Sequence, residues 1–188
     1  MNAPLPPQAE RETVRHPFTG EDVLRLIEDG LIQEDRVELL RGDIVIMAHE
    51  DERHIDLKSA LNRLLVISLE GAATVACDST LQLSPHNWPS PDFYLVPHGM
   101  RPSQARGPDT LLVIELADTT VNKDKELKGP LYAEHGVREY WVIDIDKRET
   151  HVHTRGQWPH EMPITFDQAL SPTLLPGLTI RLADLLPA

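Results

Sequence analysis

The run Leu111-Leu112-Val113-Ile114 is followed at once by Glu115. Four consecutive aliphatic residues suit a strand covered on both faces, because successive side chains point to opposite sides of a sheet. Such a strand belongs inside a sheet with other elements packed on each side. The expected fold class is therefore α/β (α+β), a mixed β-sheet flanked by helices. Glu115 is out of place in this run on packing grounds, since an unpaired buried carboxylate is costly.

The rest of the chain supplies the flanking elements. Thr19 with Asp22 three residues on resembles a capping box, and Val23, Leu24 and Ile27 then share a helical face that Gly30 stops. Segments 37–40 and 44–47 flank Arg41-Gly42-Asp43 and predict a hairpin. Residues 52–70 predict the strongest helix, with an apolar stripe of Ile55, Leu57, Leu61, Leu64, Leu65 and Leu69. Strands are expected at 74–83, 92–96 and 111–116, with a mobile loop at 97–108. A helix is expected at 122–135, kinked or broken at Gly129-Pro130. A strand at 139–145 then pairs with one at 150–154 across Asp146-Lys147-Arg148. A short strand at 178–180 and a helical turn at 183–186 end the chain.

Composition narrows the function classes. Thirty acidic and 18 basic residues give a formal charge of −12, while 40% of the chain is apolar. That apolar share excludes a disordered acidic chain. The charge argues against non-specific binding of nucleic acid through a basic surface, which is driven by counterion release. With 188 residues, the chain predicts a Pro-containing flexible tail at 1–17 and a single domain at 18–188. A lone Cys77, no apolar run of membrane-spanning length and no signal-peptide pattern in the tail predict a soluble cytoplasmic protein with no membrane partner.

Two carboxylates stand at strand ends, Asp92 after Pro91 and Glu115 after its apolar run. Acids so placed on neighbouring strands can share a hard cation such as Mg²⁺. The alternative is that Asp92 caps a turn and Glu115 pairs with a cationic side chain. Asp124 and Lys128 share a helix face, either as a solvated ion pair or with Lys128 leaning back toward Glu115 to orient a water. Glu38 either points at the same site or is the polar residue of an alternating strand. His49, Glu50 and His54 do not form a zinc-protease motif. The histidines are five positions apart, which turns a helix by about 140° beyond one full turn, whereas the motif needs four. His151 and His153 alternate on a strand and read as a surface pair.

Taken together, Arg36-Val37-Glu38-Leu39-Leu40-Arg41-Gly42-Asp43-Ile44, Ser90-Pro91-Asp92, Leu112-Val113-Ile114-Glu115-Leu116, Asp124 to Lys128, Leu131-Tyr132-Ala133, Gly136-Val137-Arg138-Glu139-Tyr140-Trp141-Val142-Ile143-Asp144 and Leu174-Leu175-Pro176-Gly177-Leu178 resemble the Uma-type restriction endonuclease family, a bacterial branch of the PD-(D/E)XK nuclease superfamily. The resemblance covers about residues 18–186. It implies a restriction-endonuclease-like core and a metal-dependent endonuclease acting on phosphodiester bonds of DNA. Asp92 and Glu115 would hold Mg²⁺ (or Mn²⁺), Lys128 would take the catalytic lysine's role and Glu38 would be a further acid of the site. His54 and Asp124 would be accessory. The general motif's lysine, two residues after the Glu, is Ala117 here, and Ala117-Asp118-Thr119-Thr120 replaces a Ser-Pro-Ser-Thr type of turn. Arg101, Arg106, Lys123 and Lys125 are the candidate phosphate contacts, giving weak, metal-dependent DNA binding. A homodimer is compatible with this reading. The competing expectations are a catalytically inactive nuclease-fold module used for protein interaction or regulation, and a metal hydrolase of a small phosphoester.

Overall fold

The computed structural model describes residues 15–34, 36–47, 49–118, 121, 124–154 and 162–186. Most of the tail expected at 1–17, and Lys123, lie outside them.

Helix α1 (Gly20–Glu28) starts on the expected capping box. Asp22 N–H donates to Thr19 Oγ1 at 3.2 Å and Thr19 N–H to Asp22 Oδ2 at 2.9 Å. Its apolar face is only partly covered: Val23 is buried, whereas Leu24 and Ile27 stay exposed. Strands β1 (Val37–Leu40) and β2 (Asp43–Ile46) form a hairpin. Arg41 and Gly42 both have positive φ (53° and 81°), as a two-residue type I′ turn requires. Helix α2 (Glu52–Ser68) is capped by Asp51, which accepts the His54 N–H at 2.8 Å. Its buried face is Leu57, Leu61 and Leu65, joined at the N-terminal end by His54 and Lys58; Ile55, expected in the stripe, points outward.

The main sheet has the order β3-β4-β5-β6-β7-β8: β3 (Ala73–Cys77), β4 (Phe93–Pro97), β5 (Leu112–Ala117), β6 (Glu139–Asp144), β7 (Glu149–Thr154) and β8 (Ile164–Thr165). Only β5 and β6 are parallel, as befits a pair joined by a helical crossover. Strand β5 lies inside the sheet and is buried at all six positions, as its apolar run requires.

The strand expected over 74–83 stops at Cys77. Asp78 adopts φ 48°, and the chain makes an excursion to residue 92 that packs on the hairpin, Leu39 pairing with Trp88. The segment 97–108, expected as a loop, contains 3-10 turns at Pro102–Gln104 and Gly107–Asp109. The helix expected at 122–135 contains a π-turn, Asp124–Lys128, that runs into α3 (Gly129–Glu134). Pro130 has no N–H to return to the preceding turn, so the expected break takes the form of a widened turn. The strand expected at 178–180 reduces to one bridge, Leu170 with Ile180.

Strand alternation sorts two cores onto opposite faces. Phe93, Leu95, Ile114, Trp141 and Ile143 pack against α2, while Tyr94, Val113, Tyr140 and Val142 pack against Leu131 and Tyr132 of α3. His151 and His153 are not on the surface: both are buried, and His153 stacks on Tyr140 with ring centroids 5.7 Å apart.

Candidate active site

Asp92 stands between Pro91 and β4, with its side chain held from two directions. Oδ2 accepts the Leu116 N–H at 2.7 Å, tying the start of β4 to the end of β5. Oδ1 lies 3.2 Å from His54 Nε2 and 2.9 Å from Lys58 Nζ, both supplied by the first turns of α2. Burial alone would raise the Asp92 pKa. The His54 hydrogen bond and the charges of Lys58 and His54 outweigh it and hold the carboxyl down at about 2. For His54 too, the Asp92 bond overcomes desolvation and moves the imidazole pKa up.

Glu115 is met from the opposite side. Its Oε1 accepts from Lys128 Nζ at 2.9 Å and from the Tyr132 hydroxyl at 3.1 Å. The same ammonium lies 2.8 Å from Glu38 Oε1 and 3.5 Å from Asp124 Oδ1. Glu38, carried by β1, also takes the Ser90 N–H at 3.0 Å, so the hairpin is latched to the segment that presents Asp92. All four charged groups are buried, Lys128 only 3% exposed. The Asp124–Lys128 pair is thus not a solvated surface pair, and Glu38 is not merely an alternating polar residue.

Three buried carboxylates around one ammonium leave an excess of negative charge in a low-dielectric pocket. Burial, with the charges of Asp124, Asp92 and Glu38, raises Glu115 well above the usual carboxylate range against the pull of Lys128. Lys128 stays charged, because Glu115, Glu38 and Asp124 outweigh its own desolvation.

Between the two halves lies a cleft of about 70 Å³, lined by Glu38, Glu50, His54, Asp92, Glu115 and Lys128 among others. That is room for an ion with oxygen ligands. The residues fit a hard divalent cation: carboxylate oxygens dominate the donors, the charge excess calls for a cation, and ligand atoms of Glu50, His54 and Asp92 lie within 4.8 Å of one another. Glu50 is in turn held by Arg36 and by Lys58, whose ammonium is 2.6 Å away.

The structure thus brings Glu38, His54, Asp92, Glu115, Asp124 and Lys128 together. Arg101 and Arg106 are elsewhere: they follow β4 and precede β5, at the ends of those strands opposite Asp92 and Leu116, and line no part of the cleft. Lys125 is half-buried on the π-turn, on the side toward His151. Sequence reasoning missed Lys58 as a site residue. The available signal was its spacing: it lies one helical turn after His54 and next to Leu57, on the buried stripe.

The mixed sheet, with an acid at the start of β4 and another on adjacent β5, defines a restriction-endonuclease-like α+β fold. A crystal structure at 1.96 Å of a putative nuclease belonging to DUF820, from Anabaena variabilis ATCC 29413, superposes with a TM-score of 0.69 at 16% identity, covering 90% of this chain and 97% of that one. The chain belongs to the Uma2 family, described as putative restriction endonuclease, which matches residues 21–183. No curated protein matches it. No helix among the described residues is long and apolar enough to cross a membrane.

Proposed function

We propose that this protein is a metal-dependent endonuclease that hydrolyses phosphodiester bonds in DNA. The observation that carries the reading is the convergence of Asp92, Glu115 and Lys128, from two adjacent strands and the crossover turn, on one small acidic cleft. Asp92 and Glu115 would hold Mg²⁺ or Mn²⁺, which when bound polarises a phosphate oxygen and lowers the pKa of a water. Lys128 Nζ holds positive charge beside the reacting phosphate and orients a water, with Glu38 fixing the ammonium from behind. His54 and Lys58 orient Asp92, and the Tyr132 hydroxyl orients Glu115. Arg101, Arg106, Lys123 and Lys125 remain candidate contacts for a longer duplex, with salt-sensitive binding. The accompanying proposals are residues 18–188 as one domain, a cytoplasmic location and a homodimer.

The test is cleavage of single- and double-stranded DNA and RNA with Mg²⁺ or Mn²⁺, comparing the parent with Asp92→Asn, Glu115→Gln and Lys128→Met. Metal-dependent DNA cleavage lost in all three variants supports the reading. Cleavage unaltered in Glu115→Gln, or none with any substrate and metal, overturns it. One observation favours the second reading, an inactive nuclease-fold module: Lys58 and Lys128 already neutralise Asp92 and Glu115. That reading predicts no metal affinity in the cleft.

A further inference from the structure

Asp144 and Glu149 are directly opposed in the β6–β7 ladder, and Glu149 and His151 are alternate residues of β7, so all three side chains share one face. Opposed carboxylates destabilise a sheet unless a cation lies between them. Here one carboxylate oxygen from each acid and one ring nitrogen of His151 all lie within 4.8 Å of one another.

Two features point to a ligand. First, His151 Nε2 is buried and makes no hydrogen bond, although it lies 3.3 Å from Glu149 Oε1. The side chain is 10% exposed and aims its nitrogen into the acidic pair rather than into a partner. Zinc bonds to nitrogen and oxygen of about 2.0–2.2 Å at a tetrahedral angle place ligand atoms about 3.3–3.6 Å apart, which matches that separation. Second, the cation present is a makeshift one. Lys147 Nζ lies 3.2 Å from Asp144 Oδ2 and 3.9 Å from Glu149 Oε1, on a side chain that is 66% exposed and free to swing away.

We propose that Asp144, Glu149 and His151 form a binding site for a divalent first-row transition ion of the Zn²⁺ type, with Lys147 as a displaceable stand-in. An imidazole with two carboxylates suits such an ion better than Mg²⁺, which takes oxygen donors. The site is separate from the cleft. Glu115 pairs with Val142 and Val142 with His151, so the backbones of Glu115 and His151 lie two strand spacings apart, about 10 Å. None of Asp144, Glu149 and His151 lines the cleft. The ion would fasten the β6–β7 turn on the face that carries Glu115.

The experiment titrates ZnCl₂ into the full chain carrying His54→Ala, which removes the cleft's own imidazole, and follows the histidine ring nitrogens by NMR. The expected result is a saturable shift of the His151 Nε2 resonance. Adding Glu149→Gln should weaken binding by roughly tenfold or more, at least the loss that removing a mere supporting partner of a ligand brings. Lys147→Ala, at an exposed position that leaves folding intact, should tighten binding by vacating the pocket. A His151 resonance unmoved by Zn²⁺, or binding unchanged in Glu149→Gln, overturns the proposal. The readout does not depend on nuclease activity, so failure of this site and failure of the proposed function are distinguishable.

Discussion

Lys128 Nζ stands 2.9 Å from Glu115 Oε1 with both groups buried, while Ala117 fills the place two residues after the Glu. The ammonium paired with this buried strand carboxylate thus comes from the crossover turn rather than from the strand itself. The π-turn makes this possible: Asp124 and Lys128 lie at its two ends, and both point inward.

Removing that ammonium should be costly. Lys128→Met leaves Glu38, Glu115 and Asp124 buried without their shared cation, and breaking a buried pair on one side costs about 3–5 kcal/mol. Urea unfolding should show the loss as a lower midpoint at unchanged slope. Adding Glu38→Gln should recover part of it, because the two positions are coupled through one contact. Strictly additive effects would mean the pair contributes nothing specific.

Stability should peak on the acid side of neutrality in metal-free buffer. The folded-state pKa of Glu115 is raised above the ordinary 4.5, so the folded state binds its proton more tightly and gains stability as pH falls through that raised value toward 4.5. Asp92 has the opposite sign. Its folded pKa of about 2 lies below 3.8, so its contribution is complete above 3.8 and is lost as pH falls toward 2. Urea midpoints from pH 8 to 2 should rise and then fall. In Glu115→Gln the rise should shrink to the share contributed by His54, whose folded-state pKa is also raised, and the fall should remain.

The same charge excess predicts linkage to divalent ions. An ion bound only by the folded state stabilises by about 2.7 kcal/mol at one hundred times its dissociation constant. Mg²⁺ or Mn²⁺ should therefore raise the melting temperature of the parent, and much less that of Asp92→Asn or Glu115→Gln. An equal rise in all three proteins would place the ion elsewhere.

How much of this was legible in the sequence follows from the range of the interactions involved. The strand at Leu112–Ala117 and the helix at Glu52–Ser68 were readable because burial period and capping are local signals. The residues themselves offered Asp92, Glu115 and Lys128 as one reading among alternatives and the resemblance gave them roles, but their convergence depends on strand order, which no spacing encodes. Lys58 escaped because a lysine beside an apolar stripe ordinarily extends to water; only the presence of Glu50, Asp78 and Asp92 around it makes burial tolerable. The strand expected over 74–83 failed at Asp78, where a positive φ is stabilised by tertiary contacts with Lys58 and Arg36.

The excursion between β3 and β4 should prove to be a support for the site. Gly20 N–H donates to Pro85 O at 2.8 Å, and a Cβ at Gly20 would overlap the Trp88 indole. Trp88 pairs with Leu39, next to Glu38, and the excursion supplies the Ser90 N–H that Glu38 accepts. Gly20→Ala must push the indole away, at about 1–3 kcal/mol for overpacking. Thr19→Ala, which removes only the helix cap, should cost about 1 kcal/mol and leave the indole in place. Tryptophan fluorescence alongside urea unfolding separates the two: the emission of folded Gly20→Ala should shift, and that of Thr19→Ala should not. Gly20→Ala should also weaken metal binding in the cleft, because the Glu38 latch moves with Trp88. Metal affinity equal to that of the parent would show that α1 packs against the excursion without supporting the site.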